Sequence, residues 1–194
     1  MKRIAIASIA VFASVSMGQM LETTSVWSIV AGGNGHAYEL FSFQGGINWA
    51  DAQAAAVARG GYLATITSLA ENEFIYNSLA IGSNNGVWHI DIFNSQIGPW
   101  LGGFQPAGSP EPAGGWQWVT GENFAFTNWS SDEPNNSGGN DKRLHFFGNP
   151  GRTSRWNDVI DTVLIEGYVV ETVPSPAPVA VFALAGLAGL HRRR

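Results

Sequence analysis

The sequence predicts an α+β fold, with helices early in the chain and strands later. Three observations lead there. Helix start and stop signals fall between Asn48 and Gly82. Beyond Gly82 the chain carries short aromatic-rich runs separated by Gly-, Asn- and Ser-rich loops. No segment repeats at a fixed period, which argues against a solenoid or propeller.

Taken in order, Ala37 to Phe43 (AYELFSF) mixes aromatic and aliphatic residues over a strand's length, and Gly45 and Gly46 turn the chain. Asn48 can cap a helix with Asp51 three residues on. That helix runs to about Arg59, sets Trp49, Ala52 and Ala56 on one face, and stops at Gly60 and Gly61. Tyr62 to Thr67 reads as a short β segment. Ser68 and Glu71 form an S-x-x-E capping box for a second helix ending near Leu79, with Ile75 and Leu79 on its inner face. No helix is expected beyond Gly82. Strands are expected around Trp100, over Trp116 to Val119, Leu144 to Phe147 and Glu166 to Glu171.

A chain of 194 residues with 45% hydrophobic residues and eight Trp can bury the core of one compact domain. It has no Cys, so thiolate zinc sites and Cys nucleophiles are excluded. The net charge of −5 understates the acidity of the body, because Lys2, Arg3 and Arg192 to Arg194 sit at the two ends. Five basic residues (Arg59, Lys142, Arg143, Arg152, Arg155) then face fifteen acids, a balance of about −10. Such a body repels phosphate backbones, which excludes nucleic acid as a partner, and suits a hard cation.

The ends read as addresses. Residues 1–18 carry a basic start, an apolar stretch from Ile4 to Val15, and small residues at Ser16 and Gly18, the pattern of a secretory signal peptide. Residues 173–194 form a Pro-rich spacer, an apolar run from Val179 to Leu190, and a basic end. That run would span about 18 Å as a helix against a hydrocarbon core of ~30 Å, short for a permanent membrane span. The layout has the logic of a removable sorting tail with transient membrane association. It resembles the bacterial PEP-CTERM signal processed by an exosortase, a sorting protease, although Ser175 stands where that signal usually has Glu. A plain weak anchor is the alternative. Either way the domain is expected to be exported to the cell surface or the extracellular space.

Residues 132 to 141 (DEPNNSGGND) are too polar and Gly-rich for a core element. They offer Asp132, Glu133 and Asp141 as carboxylates and Asn135, Asn136 and Asn140 as amide oxygens. Trp156-Asn157-Asp158 adds another amide and carboxylate. Calcium takes six to eight oxygens with little geometric demand, so this density suits it. A glycosidase pair is a poor reading of Asp132 and Glu133, because hydrolysis needs two carboxyls facing each other across a bond at about 5–9 Å. The chain is therefore read as a binding domain and not an enzyme. His36, His89 and His145 show no zinc spacing and read as structural, and Trp100, Trp116, Trp118, Trp129 and Trp156 read as core.

Over residues 34–171 the sequence resembles the C-type lectin domain of the EPN, mannose-type class. The resemblance rests on NWADAQAAAVARGGYLATI, WLGGF at 100–104, WQWVTGENFAFTNWSSDEPNN, WND and the closing YVVE, all in family order. It implies a C-type lectin-like fold: two helices, short antiparallel sheets and a long calcium-binding loop region. It also implies one principal calcium held by Glu133, Asn135, Asp141, Asn157 and Asp158. The same five residues would bind carbohydrate, through neighbouring hydroxyls of mannose, glucose or fucose type. Asp141 stands where the family usually has Glu, with Asn140 as a substitute if the register slips. The Glu133–Pro134 bond is cis in that family. A second family calcium site falls here on Ser109, Ala113, Asn136 and Lys142, and its loss is expected. The family's two disulfide positions fall on Ala56 with Val170, and on Arg143 with Asp161, which are expected to pair by charge. The alternative function is a structural or protein-binding module that keeps the fold without sugar affinity.

Overall fold

The computed structural model describes residues 18–174, so the leader and the sorting tail read from the sequence lie outside the described residues, apart from their inner ends. The elements run β1 (Gln19–Val26), β2 (Ala37–Ile47), α1 (Trp49–Ala58), β3 (Tyr62–Leu63), α2 (Leu69–Ser78), β4 (His89–Ile90), β5 (Gln96–Phe104), β6 (Gln117–Trp118), β7 (Arg143–Gly148), β8 (Arg155–Val159) and β9 (Ile165–Thr172).

Both helices begin as the capping signals require. The Asn48 side chain accepts from the Asp51 amide at 2.9 Å, and the Ser68 hydroxyl accepts from the Glu71 amide at 3.2 Å. The second box departs from its usual form. Glu71 reaches back past the cap to accept from the amide and hydroxyl of Thr67, at 2.7 and 2.9 Å. After α1, Gly60 takes the left-handed conformation at φ +82°, and the Gly61 amide returns to the Ala56 carbonyl. One expectation fails at small scale: two 3-10 turns, Ile81–Ser83 and Asn85–Val87, run beyond Gly82. Each is three residues long, below the length at which a periodic apolar face becomes visible.

The strands join one sheet in the order β1-β2-β9-β5-β7-β8, with β3 added to β9 and with β4 and β6 added to β5. This differs from several short antiparallel sheets in being a single mixed sheet. The parallel strand pair is β5 with β9, where Trp100 aligns with Tyr168. Central strands bury both faces, because successive side chains point to opposite sides. On one side Phe41, Trp100, Tyr168 and Val170 pack under Trp49, Ala52 and Ala56 of α1. On the other, Tyr38, Leu40, Val169 and Phe146 pack with Ile75 and Leu79 from α2 and its end, and with Trp88, Trp118 and Trp156. The WLGGF motif has a steric reason. A Cβ at Gly102 would overlap the Leu63 carbonyl, so only glycine lets β5 pass this close to β3.

Where the family would place disulfides, this chain uses other contacts. Ala56 and Val170 are buried in the same apolar cluster. Arg143 and Asp161 pair at 3.4 Å, and the Arg143 guanidinium also lies 4.8 Å above the Trp49 ring. Because Asp161 is half exposed, the charge pair contributes at most ~1 kcal/mol. A double-mutant cycle on Arg143→Ala and Asp161→Ala should return a coupling of ~0.2–1 kcal/mol. Arg143→Ala alone should cost more than that, through lost stacking on Trp49. A coupling of zero in thermal unfolding would sink the pair.

His145 on β7 is fully buried, and burial pushes its pKa down to about 4. Its Nδ1 donates to the Phe146 carbonyl at 2.6 Å, while Nε2 has no partner. The fold therefore holds the neutral ring. That stability is complete above the ordinary value of 6.5 and is lost as pH falls from there toward about 4. The loss should reach ~3 kcal/mol. Under chelator, His145→Gln should show a shallower fall in melting temperature between neutral and acidic pH than the parent chain. Parallel curves would mean that the ring is not titrating.

Candidate functional site

The site grows out of the β7–β8 pair and the loop that precedes it. Between β6 and β7 the chain runs through residues 119–142 with no helix and no strand beyond an isolated bridge at Trp129. Across β7 and β8, Leu144 faces Asp158 and His145 faces Asn157. Asp158 is 2% exposed, and its two oxygens accept from the amides of Asn135 at 3.1 Å and Asn136 at 2.9 Å. One carboxylate on the rigid sheet thus fastens the tip of the irregular loop. Within the loop, the Asn136 side chain accepts from the Asp141 amide at 3.0 Å, and the Asn135 side chain accepts from the Ser137 amide at 2.7 Å. Asn136 is left-handed at φ +51°, as are Gly138 and Gly139, which explains why Asn and Gly crowd this turn. The Glu133–Pro134 peptide is cis.

Asn135, Asp141, Asn157 and Asp158 line one groove of about 360 Å³. Glu133 is not on that wall but lies against Asp158, whose charge acts on it, and its Oε2 is buried without a partner. Asn157 Oδ1 is likewise buried without a partner. Asp141 is 6% exposed whereas Asn140 is exposed, so Asp141 and not Asn140 occupies the groove. Asp132 is exposed, at φ +64°, and takes no part.

Charge is crowded here. Burial, followed by the Asp158 carboxylate, raises the Glu133 pKa well above the usual carboxylate range. The same two causes push Asp141 up to about 6. Among the described residues, no three His, Asp or Glu side chains form a metal cluster by themselves. The donor set is instead carboxylates mixed with amide oxygens. Three repelling carboxylates, two stranded acceptor oxygens and no nitrogen or sulfur ligand fit a hard divalent cation of the calcium kind.

The positions of the second family site do not gather acids. Lys142 pairs with Glu111 at 3.5 Å, and Asn136 is spent on the Asp141 amide. A larger cavity of about 790 Å³ lies beside β1, but its Glu22 is engaged by Ser42 and Asn84, and no set of groups converges there. Trp100, Trp116, Trp118 and Trp156 are buried, which leaves them no free face for a ligand. Two polar groove residues were invisible in the sequence: Asp91 and Ser95, at the tip of the β4–β5 hairpin. Only an Asp and a Ser around a short apolar turn mark them, and that pattern specifies no chemistry.

The family model described as the lectin C-type domain matches residues 46–165. Ladderlectin from Oncorhynchus mykiss is 32% identical over 112 residues, covering 58% of this chain and 50% of that protein. Lectin BRA-3 from Megabalanus rosa is 36% identical over 105 residues, covering 53% of this chain and 52% of its own. The chain therefore spans about half the length of these two relatives. Among solved structures, the cow C-type carbohydrate-recognition domain of CD23 superposes with a TM-score of 0.56 at 20% identity, covering 73% of this chain and 90% of that one. At that identity the likeness establishes the fold, with its two helices and mixed sheet.

Proposed function

The chain belongs to the C-type lectin domain family, and from that premise we propose an exported, calcium-dependent carbohydrate-binding module of the EPN class. Two relatives are lectins by name, which supports sugar binding as the trait carried over. In this reading Glu133, Asn135, Asp141, Asn157 and Asp158 hold the ion. The observation that carries it is the pair of buried oxygens, Glu133 Oε2 and Asn157 Oδ1, left without partners beside repelling carboxylates.

Once bound, calcium would supply open positions on its shell for two neighbouring sugar hydroxyls. The protein's own groups do the rest. The carboxylate of Glu133 accepts hydrogen bonds from hydroxyls, and the Asn135 amide donates to them. Asp158 keeps Asn135 in place through the amides of Asn135 and Asn136. In this reading Glu133, Asp141 and Asp158 are committed to the ion and Asp91 to its own hairpin turn, which leaves no carboxylate pair for hydrolysis. The test is a glycan array run with calcium and again with a chelator. Mannose-, glucose- or fucose-type glycans should bind only with calcium. Silence under both conditions would favour a module that keeps the fold without sugar affinity.

Export is proposed from the ends of the sequence: a signal peptide over residues 1–18, the lectin-like domain over 34–171, and a removable tail over 173–194. Protein recovered outside the cell should lack Arg192 to Arg194 by mass spectrometry, cleaved by a sorting protease after transient membrane association. An intact tail would mean a plain anchor.

A further inference from the structure

The β4–β5 hairpin ends beside the groove, and its tip is apolar. Asp91 and Ser95 line the groove together with Asn135, Asp141, Asn157 and Asp158. Between them stand Ile92, 93% exposed, and Phe93, 77% exposed, with Ile90 half exposed just before. Each is within two residues of a groove-lining position, hence within about 7.6 Å along the chain at 3.8 Å per Cα step.

The tip is also braced, which a casual surface loop would not need. Asp91 Oδ1 accepts from the amides of Phe93 at 2.9 Å and Ser95 at 2.8 Å. The Asp91 amide donates to the Ser95 carbonyl at 3.1 Å, and the Asn94 amide donates to the Asp91 carbonyl at 3.0 Å, with Asn94 left-handed at φ +64°. Below the turn, Ile90 pairs with Gln96 and His89 with Ile97. Two large apolar side chains are thus held in water at a fixed place, one strand-pair away from the candidate ligands.

We propose that Ile92 and Phe93 form a platform for the sugar residue linked to the one held at the ion, receiving its C–H face. This rests on the sugar-binding reading above and adds a specificity-determining contact to it. Sugars present a polar rim and an apolar C–H face, and aromatic rings accept such faces. The buried tryptophans cannot serve, and Phe147, which lines the groove itself, is partly buried, so Phe93, two residues from groove-lining Asp91 and Ser95, offers the freest aromatic face beside it. A small occupant fits better than a protein partner, because a stable protein interface needs ~800 Å² a side and three apolar side chains supply a fraction of that. Continuity with the groove selects the neighbour of the coordinated sugar over a free apolar ligand.

The test uses the calcium-loaded chain, with methyl α-mannoside and a set of methyl mannobiosides of different linkage as probes in titration calorimetry. At least one bioside should bind the parent chain about three- to tenfold more tightly than methyl α-mannoside. In the Ile92→Ser/Phe93→Ala double variant that advantage should vanish, with affinities for calcium and for methyl α-mannoside unchanged. Biosides that gain nothing in the parent chain, or an advantage that survives in the double variant, would overturn the platform alone. Failure of methyl α-mannoside to bind would bring down the sugar-binding reading and the platform with it. If the tip instead seats a second copy, the parent chain would show a concentration-dependent mass lost in the double variant, with sugar affinities equal in both; that result also overturns the proposal.

Discussion

Asp158→Ala should abolish calcium binding and free the loop that carries three of the other proposed ligands, Glu133, Asn135 and Asp141. The two effects share a cause. Asp158 is a proposed ligand, and it is also the acceptor for the Asn135 and Asn136 amides, which set the loop's position on the sheet. Removing it takes a carboxylate from the ion and two charge-assisted hydrogen bonds from the loop, worth ~3–6 kcal/mol together. Part of that cost is offset, because the variant also relieves the repulsion felt by Glu133 and Asp141. Calorimetry should therefore show no heat of calcium binding in the variant, where the parent chain binds a single ion near ~10⁻⁴–10⁻³ M. Asp132→Ala is the matched control: the same loop and the same charge lost, but an exposed side chain outside the groove. Its titration should overlay that of the parent. Equal calcium binding in Asp158→Ala and the parent chain would remove this site from consideration.

Chelation should lower the melting temperature by several degrees. Ion binding to the native state alone contributes ~2.7 kcal/mol when free calcium is ~100 times its dissociation constant. In a domain of this size, where each kcal/mol moves the midpoint by about 2–4 °C, that corresponds to a shift of roughly 5–11 °C. Little else ties the region down. There is no Cys to cross-link it, and the Arg143–Asp161 pair is half exposed. Hydrogen exchange under chelator should accelerate first over residues 130–160, while α1 and the β2–β9 pair keep their protection. A melting curve indifferent to chelator would show that the loop is held by its hydrogen bonds alone.

How far the sequence discloses this molecule depends on whether the signal is local. Caps are local, so Asn48, Ser68 and Gly60 marked the helix ends within a residue or two. The faces were legible for the same reason: Trp49, Ala52 and Ala56 are buried as their spacing requires. β1 was not seen, because QMLETTSV puts exposed Met20 and Leu21 side by side and breaks the alternation that identifies a strand. Its pairing with β2 is a tertiary fact. So is the parallel contact between Trp100 and Tyr168, 68 residues apart by their numbering. Within the site, the residue types in the loop and in WND carried their own chemistry. The clamp from Asp158 to the loop amides could not be read, since a backbone amide leaves no mark in a sequence. Asp91 and Ser95 were hidden for a related reason. Only the hairpin's fold-back brings them to the groove.

The strand order also governs how the domain can be displayed. The groove belongs to β7 and β8 at one margin of the sheet, whereas the described residues begin at β1, on the opposite margin, and end just past β9. At ~4.8 Å per strand spacing, the groove's margin is about 24 Å across the sheet from β1 and about 14 Å from β9. A domain held by either end would keep its groove that far across the sheet from the point of attachment. If the sugar-binding proposal holds, neighbouring copies could then engage one branched ligand together, adding by number what a single shallow contact lacks in strength.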